Sequence, residues 1–390
     1  MTERDAWIAL ASTPGVGDVT FSRLLARHGS ATAVLEAVGA LPRSRADRAI
    51  ADMSHTRLRH GLAAAIRRSA AEPRRTETAI AQLGGWALTP LDRAYPPALH
   101  AIEEPPPVLY GLGDPSTLGQ GRLIAVVGTR RPTAAGRDLS GRIASRLALA
   151  GAVVVSGLAL GVDGSAHLST LEAGAATVAV VGSGLDEPGP VAHRRLAARI
   201  VREGAIVSEL APGVRATRGT FPRRNRLISG LARATIVVEA PARSGALITA
   251  RHALEQGRRL LVAPGRPLDP RVGGNLALLR ETPARPLTGL DEMLVDLGLD
   301  DVPGKPAGDR PGLLSAAAAM KLLDPTQQTV ARVLASGPQS VDTICRATRL
   351  DAGVVAACLT MLQLRGWARV HGATQLPAGP LAGLDNERAA

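Results

Sequence analysis

Ile124-Ala125-Val126-Val127-Gly128-Thr129-Arg130-Arg131-Pro132-Thr133 is the stretch on which the reading of the fold turns. An unbroken apolar run stops at a glycine, passes two arginines and a proline, and leads into a segment of helical length at 136–150. A strand that is apolar at every position must be covered on both faces, because successive side chains point to opposite sides of the sheet. The same unit recurs: further apolar runs lie at 153–155, 178–181, 206–207, 236–238 and 260–262. Between them are helical stretches such as 246–256. Strands alternating with helices in this way predict an α/β fold, an extended Rossmann-like, doubly wound and mostly parallel sheet.

On the N-terminal side, residues 86–121 carry Tyr95-Pro96-Pro97 and Pro105-Pro106-Pro107-Val108-Leu109-Tyr110, which disfavour helix and predict an extended entry segment. Residues 1–85 predict a small helical domain. Trp7-Ile8-Ala9-Leu10 leads into Thr13-Pro14-Gly15-Val16-Gly17, and Phe21, Leu24 and Leu25 then follow at helical spacing. A helix, a glycine-bearing turn and a second helix have the form of a helix-hairpin-helix or SAM-like unit, whose turn amides can hold a DNA phosphate. A tight turn between packed helices would look the same. The Rossmann-like domain is expected over 86–295, a Pro/Gly-dense linker over 296–325, and a winged helix over 326–376. The winged helix would be built from apolar-periodic segments at 327–334, 341–349 and 353–365 with a strand-like stretch at 366–371. Residues 377–390 read as a frayed tail.

Hydrophobic residues are 45% of the chain, enough for packed cores rather than wholesale disorder. Lys and Arg total 46 against 34 Asp and Glu, and Lys305 and Lys321 are the only lysines. The net charge of +12 suits a polyanionic partner, although a compositional bias toward arginine would give the same total. Cys345 and Cys358 have no metal-ligand spacing around them, so neither a disulfide framework nor a metal site is expected. The charged, turn-bearing N-terminus does not read as a signal peptide, and no apolar run is long enough for a membrane span. The expected location is the cytoplasm.

In an open parallel sheet, ligands gather at the carboxyl ends of the strands, where turn and helix N-terminal amides face anions. Three successive strands end in Gly128-Thr129-Arg130, in Ser156-Gly157-Leu158-Ala159 and in Gly182-Ser183-Gly184-Leu185-Asp186. Ser244-Gly245 opens a later helix in the same manner. Together they predict a broad anion-receptive rim. Asp163 and His167, four apart after Gly161-Val162, read as a helix cap and a structural histidine rather than a metal or acid–base pair.

The most informative cluster is Arg218-Gly219-Thr220-Phe221-Pro222-Arg223-Arg224-Asn225-Arg226. No acidic residue lies between Glu209 and Glu239, and the chain has only two phenylalanines, one of them here. Guanidinium groups around a lone aromatic ring suit single-stranded nucleic acid: arginines hold phosphates while an unpaired base stacks on the ring. The predicted DNA-binding set is therefore Gly128, Arg130, Ser156, Gly157, Arg218, Phe221, Arg223, Arg224, Asn225, Arg226, Ser244 and Gly245, on a loop beside the glycine-lined edge.

Enzymatic motifs are missing. The sequence has no Walker A lysine, GxSxG, HExxH or paired Cys/His set, and Gly128-Thr129-Arg130 departs from a dinucleotide fingerprint. No enzyme and no cofactor are expected. The alternative is a Rossmann-like nucleotide-binding enzyme such as a phosphoribohydrolase, with Glu239 as the poised carboxylate. A duplex-DNA regulator working through the winged helix is a third reading, weakened because the 353–365 helix offers Arg365 as its one basic residue.

These blocks resemble the DprA/Smf (DNA-processing) family. The likeness runs through Tyr95-Pro96, Val127-Gly128-Thr129-Arg130, Ser156-Gly157-Leu158-Ala159 and Gly182-Ser183-Gly184-Leu185-Asp186. It continues in Phe221-Pro222-Arg223-Arg224-Asn225-Arg226 and in Ser244-Gly245-Ala246-Leu247-Ile248-Thr249-Ala250. The resemblance implies an extended Rossmann fold that binds single-stranded DNA, forms a homodimer and loads RecA recombinase in natural transformation or other recombination. It places the DNA pocket on Arg130, Arg218, Phe221, Arg224 and Asn225, with Gly128 and Ser156-Gly157 at the rim. The chain departs from the family pattern at Leu160, at Gly189-Pro190 and at Gly273-Gly274-Asn275.

Overall fold

The computed structural model describes residues 1–42, 47–48, 50, 61–217, 219–300, 320, 322–337, 339–365, 367–371 and 374–377. The chain divides into two compact units, Met1–Asp301 and Val302–Ala390.

The first unit opens with helices α1 (Glu3–Ala11), α2 (Asp18–His28), α3 (Ala31–Ala40), α4 (Leu62–Ala71) and α5 (Arg75–Gln82). Thr2 and Asp5 form a capping box on α1, and Gly29 ends α2 in the left-handed region that a Cβ disfavours. Phe21, Leu24, Val34, Leu35 and Ile66 seal the core of this bundle. Strands β1 (Trp86–Leu88) and β2 (Leu109–Gly113) follow, with the short α6 (Pro97–His100) between them. The segment expected to be a plain extended connector thus contributes two strands, both antiparallel, to the edge of the main sheet.

That sheet has nine strands in the order β1-β2-β6-β5-β4-β3-β7-β8-β9. The later strands are β3 (Leu123–Val127), β4 (Val153–Ser156), β5 (Thr177–Val180), β6 (Ala205–Ser208), β7 (Ala234–Val237), β8 (Arg259–Val262) and β9 (Arg285–Pro286). From β3 onward all pairings but that of β6 with β2 are parallel, with Ala125 opposite Val155 and Val126 opposite Ile236. The crossovers are α7 (Ala134–Leu149), α8 (Val162–Glu172), α9 (Arg194–Glu203), α10 (Thr220–Leu231), α11 (Ala246–Glu255) and α12 (Gly273–Glu281), and α13 (Leu290–Leu297) follows the last strand.

The central strands β3 to β8 are apolar at most positions on both faces because two cores use them. Ala125, Val127, Val155, Val180 and Val237 face a layer holding Leu227, Ile228 and Leu231 of α10. Ile124, Val126, Val154 and Ile236 face Ile143 and Leu147 of α7, Val162 of α8 and Leu294 of α13. Each fully buried valine or leucine contributes roughly 1.5–3 kcal/mol. The order runs from β3 through β4 to β6 on one side and to β7 on the other, so the chain changes direction between β3 and β7. At such a point the helices diverge and leave a crevice beyond the strand ends.

The second unit contains α14 (Pro325–Ala335), α15 (Val341–Thr348) and α16 (Ala352–Leu364), with β10 (Gln339–Ser340), β11 (Ala368–His371) and β12 (Thr374–Pro377) paired as β10-β12-β11. Val330, Leu334, Ile344, Val355, Leu359, Leu362 and Trp367 form its core, in a winged-helix arrangement. The expected linker falls largely, and the expected tail almost wholly, outside the described residues. Among the described residues no single helix is long and apolar enough to cross a membrane.

Candidate nucleic-acid interface

Parallel pairing brings the turns after β3, β4, β5 and β7 to one edge. The arginine-rich segment meets them there. It is not a loop: Thr220 to Leu231 is helix α10, with Pro222 in its first turn, where a missing N–H costs nothing. The helix start packs on Gly182, where an added Cβ would lie 3.5 Å from Cδ1 of Phe221. Phe221 is 36% exposed, whereas the other phenylalanine, Phe21, is sealed in the N-terminal bundle. The guanidinium of Arg130 lies 5.3 Å from the centre of the Phe221 ring, within cation–π range.

Arg130 and Phe221 stand between two cavities that share Arg224 as well. One, of about 770 Å³, reaches past Gly157 and Leu158 to Gly182–Gly184 and to exposed Arg215. The other, of about 520 Å³, lies over the β3–β7 crevice and is bounded by Gly128, Arg131, Arg243, Ser244 and Gly245.

Arg224 is 5% exposed and forms the floor common to both. Its Nη1 donates to the carbonyl of Gly157 at 2.6 Å and to that of Val180, and its Nε to Oδ1 of Asn225 at 3.3 Å. Burial brings this guanidinium down to about 10, with Arg130 acting in the same direction against Asp163; it remains a cation at neutral pH. Burial raises the Asp163 carboxyl, while Arg224 pulls it back. Gly157 makes the pair possible, since a Cβ there would lie 2.6 Å from Oδ2 of Asp163 and 2.7 Å from Nη2 of Arg224. The next residue, Leu158, is fully buried at φ +60°, a left-handed conformation uncommon outside glycine and met where backbone geometry serves a site.

The structure separates the predicted residues into groups. Gly128, Arg130, Gly157, Phe221, Arg224, Asn225, Ser244 and Gly245 border the two cavities. Arg223 and Arg226 turn the other way. Arg226 is buried against Glu209 and Asp18, and Arg223 pairs with the same two carboxylates. Their charge is matched from outside the local sequence, so they tie α10 to the N-terminal bundle instead of facing the cavities. Asp18 is the first residue after the Gly15–Gly17 turn, and that turn is therefore docked on α10. Ser156 is fully buried, its hydroxyl donating to the carbonyl of Val126 at 2.6 Å. Gly128 is required by packing, because a Cβ would lie 2.5 Å from Cγ2 of Val162. Arg218 lies outside the described residues.

The capping role expected of Asp163 belongs instead to Gly161; Asp163 sits inside the first turn of α8 and accepts from the Ala159 amide at 3.3 Å. His167 is buried, its Nδ1 2.8 Å from the Thr177 hydroxyl, and burial lowers it to about 3. Glu239, the carboxylate of the enzymatic alternative, accepts from the amide of Thr133 at 3.1 Å and from its hydroxyl at 2.7 Å, and so braces the N-terminus of α7. Sequence reasoning left Arg131 and Arg243 out of the site, although each adjoins a block singled out for its glycines or arginines, whereas Arg215 belongs to the acid-free stretch between Glu209 and Glu239 expected to attract a polyanion. It also passed over Asn275, which is fully buried and bonds to Val238, Ala240 and Ala263, fixing the ends of β7 and β8.

A family model described as DNA recombination-mediator protein A matches residues 86–298, the sheet and both cavities. The chain belongs to the DprA/Smf family. Models of the DprA winged helix domain and of a DprA-like N-terminal HHH domain match residues 315–373 and 1–64 of this DprA/Smf chain. Protein Smf of Synechocystis is 37% identical over 305 residues, covering 72% of this chain and 76% of the relative. DNA processing protein DprA of Bacillus subtilis is 39% identical over 189 residues, 48% of this chain and 64% of the relative. The structure of DprA from Streptococcus pneumoniae superposes with a TM-score of 0.62 at 30% identity, over 76% of this chain and 98% of that one. A DprA structure from Helicobacter pylori, which concerns the single-stranded DNA binding mode of that protein, has a TM-score of 0.51 at 30% identity, over 56% and 97%.

Proposed function

We propose that this DprA/Smf chain binds single-stranded DNA along the carboxyl edge of its sheet. The observation that carries the reading is the half-open Phe221 ring, standing with Arg130 where two cavities meet above the buried cation of Arg224. An unpaired base stacks on Phe221, and the displaced Arg130 guanidinium turns to a flanking phosphate. Arg224 supplies fixed positive charge from below, with Arg131, Arg215 and Arg243 at the rim. A duplex keeps its bases stacked and paired and has none to give the ring. Membership of a family described as recombination mediators supports the finer reading that the bound strand is handed to RecA by a homodimer.

The test is a gel shift of single- and double-stranded oligonucleotides across a salt series, with Phe221→Ala and Arg130→Glu. Loss of one stacked base is worth roughly 1–3 kcal/mol, so Phe221→Ala should weaken single-strand binding about 5- to 150-fold. Salt-insensitive binding that survives both changes would refute the reading.

A further inference from the structure

A third cavity, of about 620 Å³, opens between the helices α7, α8 and α9. Arg130 borders it as well as the other two, and Leu160 borders both it and the larger of them. The three are thus neighbours around one arginine. Arg137, Arg195, Arg199 and His193 line this third hollow, and no carboxylate does. Arg199 is held in place by Glu203 at 2.9 Å and by the carbonyl of Leu171 at 2.8 Å, which pins α9 to α8. Arg137 and Arg195 are different: both are exposed, and neither guanidinium has a hydrogen bond or ion pair among the described residues. Leu160 and Leu168, 46% and 44% exposed, lie between these charges as an apolar floor.

A row of cations over exposed leucines, with no carboxylate in the lining and Glu203 already paired with Arg199, fits a phosphodiester backbone whose sugars rest on apolar surface. It offers no Phe, Tyr or Trp and no buried polar group to read a base, and its one imidazole, His193, is held at Nδ1 by the carbonyl of Leu158 at 3.1 Å. We infer that the hollow between α7, α8 and α9 is a second, sequence-indifferent stretch of the single-strand path, which takes the phosphates of the strand as it leaves the Phe221 site across Leu160. The inference rests on the proposed binding at Phe221 and extends it. It gives the protein a footprint longer than the pocket alone would need.

Binding of the full chain to oligothymidylates of about six and about twenty nucleotides, lengths that bracket common single-strand site sizes, distinguishes the two claims. Arg137→Ala with Arg195→Ala should weaken the long strand about tenfold while leaving the short one within about twofold. The salt dependence of the long strand should become shallower by about 0.7 per arginine removed. Both residues lie on the surface, so the double variant keeps its fold. Unchanged binding of the long strand, or equal losses at both lengths, would overturn the inference; the first result would leave the hollow to an acidic protein segment. A short strand indifferent to Phe221→Ala would instead defeat the pocket reading on which it rests.

Discussion

At Gly157 the missing side chain matters more than any conformational freedom. The space a Cβ would take is already filled by Oδ2 of Asp163 and the guanidinium of Arg224. Gly157→Ala should therefore push Arg224 off its two carbonyls, costing about 1–3 kcal/mol of stability as overpacking does. It should also lower single-strand affinity; denaturant midpoints and gel shifts measure the two effects separately. His167 supports a prediction about pH. Its folded value of about 3 lies below the ordinary histidine value, so the unfolded chain binds a proton that the folded chain refuses. The stability tied to neutral His167 is full above about pH 6.5 and falls by up to about 1.4 kcal/mol per pH unit as pH drops toward 3. In His167→Asn, which can still reach Thr177, urea midpoints measured between pH 7 and pH 5 should fall less steeply than in the parent. Equal slopes would show that His167 is not the group being protonated. Its place one turn into a helix is enough to read this histidine as structural. Its desolvation depends on Thr177 and on the sheet beneath it, which no local spacing reveals.

Helix α10 shows what a local reading of charge leaves out. The stretch between Glu209 and Glu239 has no acidic residue, so all its arginines read as available to a polyanion. The fold sorts them by helical angle. Arg223 and Arg226, three apart, share the face turned to Asp18 and Glu209, while Arg224 points to the strand ends. Asp18 lies 208 positions from Arg226, and only the docking of the N-terminal bundle brings it there. Helix was hidden for a similar reason: Gly219 and Pro222 look like breakers, yet a proline in the first turn is tolerated. The parallel strands were legible because burial on both faces leaves a continuous apolar run; the antiparallel β1 and β2 were not, being short and surrounded by prolines. From this arrangement it follows that Glu209→Ala strips Arg226 of a buried partner. Removing one member of a buried pair costs on the order of 3–5 kcal/mol, softened here by Asp18. Asp18→Asn should cost less, because Glu209 remains. Urea titration of both variants should give that order, and the reverse order would mean that Asp18 is the principal anchor of α10.

For the whole molecule, the two compact units carry the charge in different ways. Residues 1–301 hold the nine-stranded sheet and all three cavities described above. The second unit has its own core around Val330, Ile344, Leu359 and Trp367. Its third helix, α16, has no basic residue over Ala352–Leu364, and Arg365 just beyond it lies 5.3 Å over the Trp367 ring. A recognition helix must bring cations to the phosphates and polar side chains to base edges; α16 brings no cation along its length, and its polar residues Thr360 and Gln363 are bonded to the Ala356 carbonyl and to Gln375. A fragment ending at residue 301 should accordingly bind single-stranded oligonucleotides within a few-fold of the full chain and with the same salt slope. The fragment beginning at residue 302 should shift neither single-stranded nor duplex DNA at the same concentrations. A duplex shift by that second fragment would move the nucleic-acid role, in part, to a surface with no evident means of supplying it. If it stays silent, the polyanion contact implied by the +12 charge is concentrated on the sheet edge, and the winged helix is left free to meet protein.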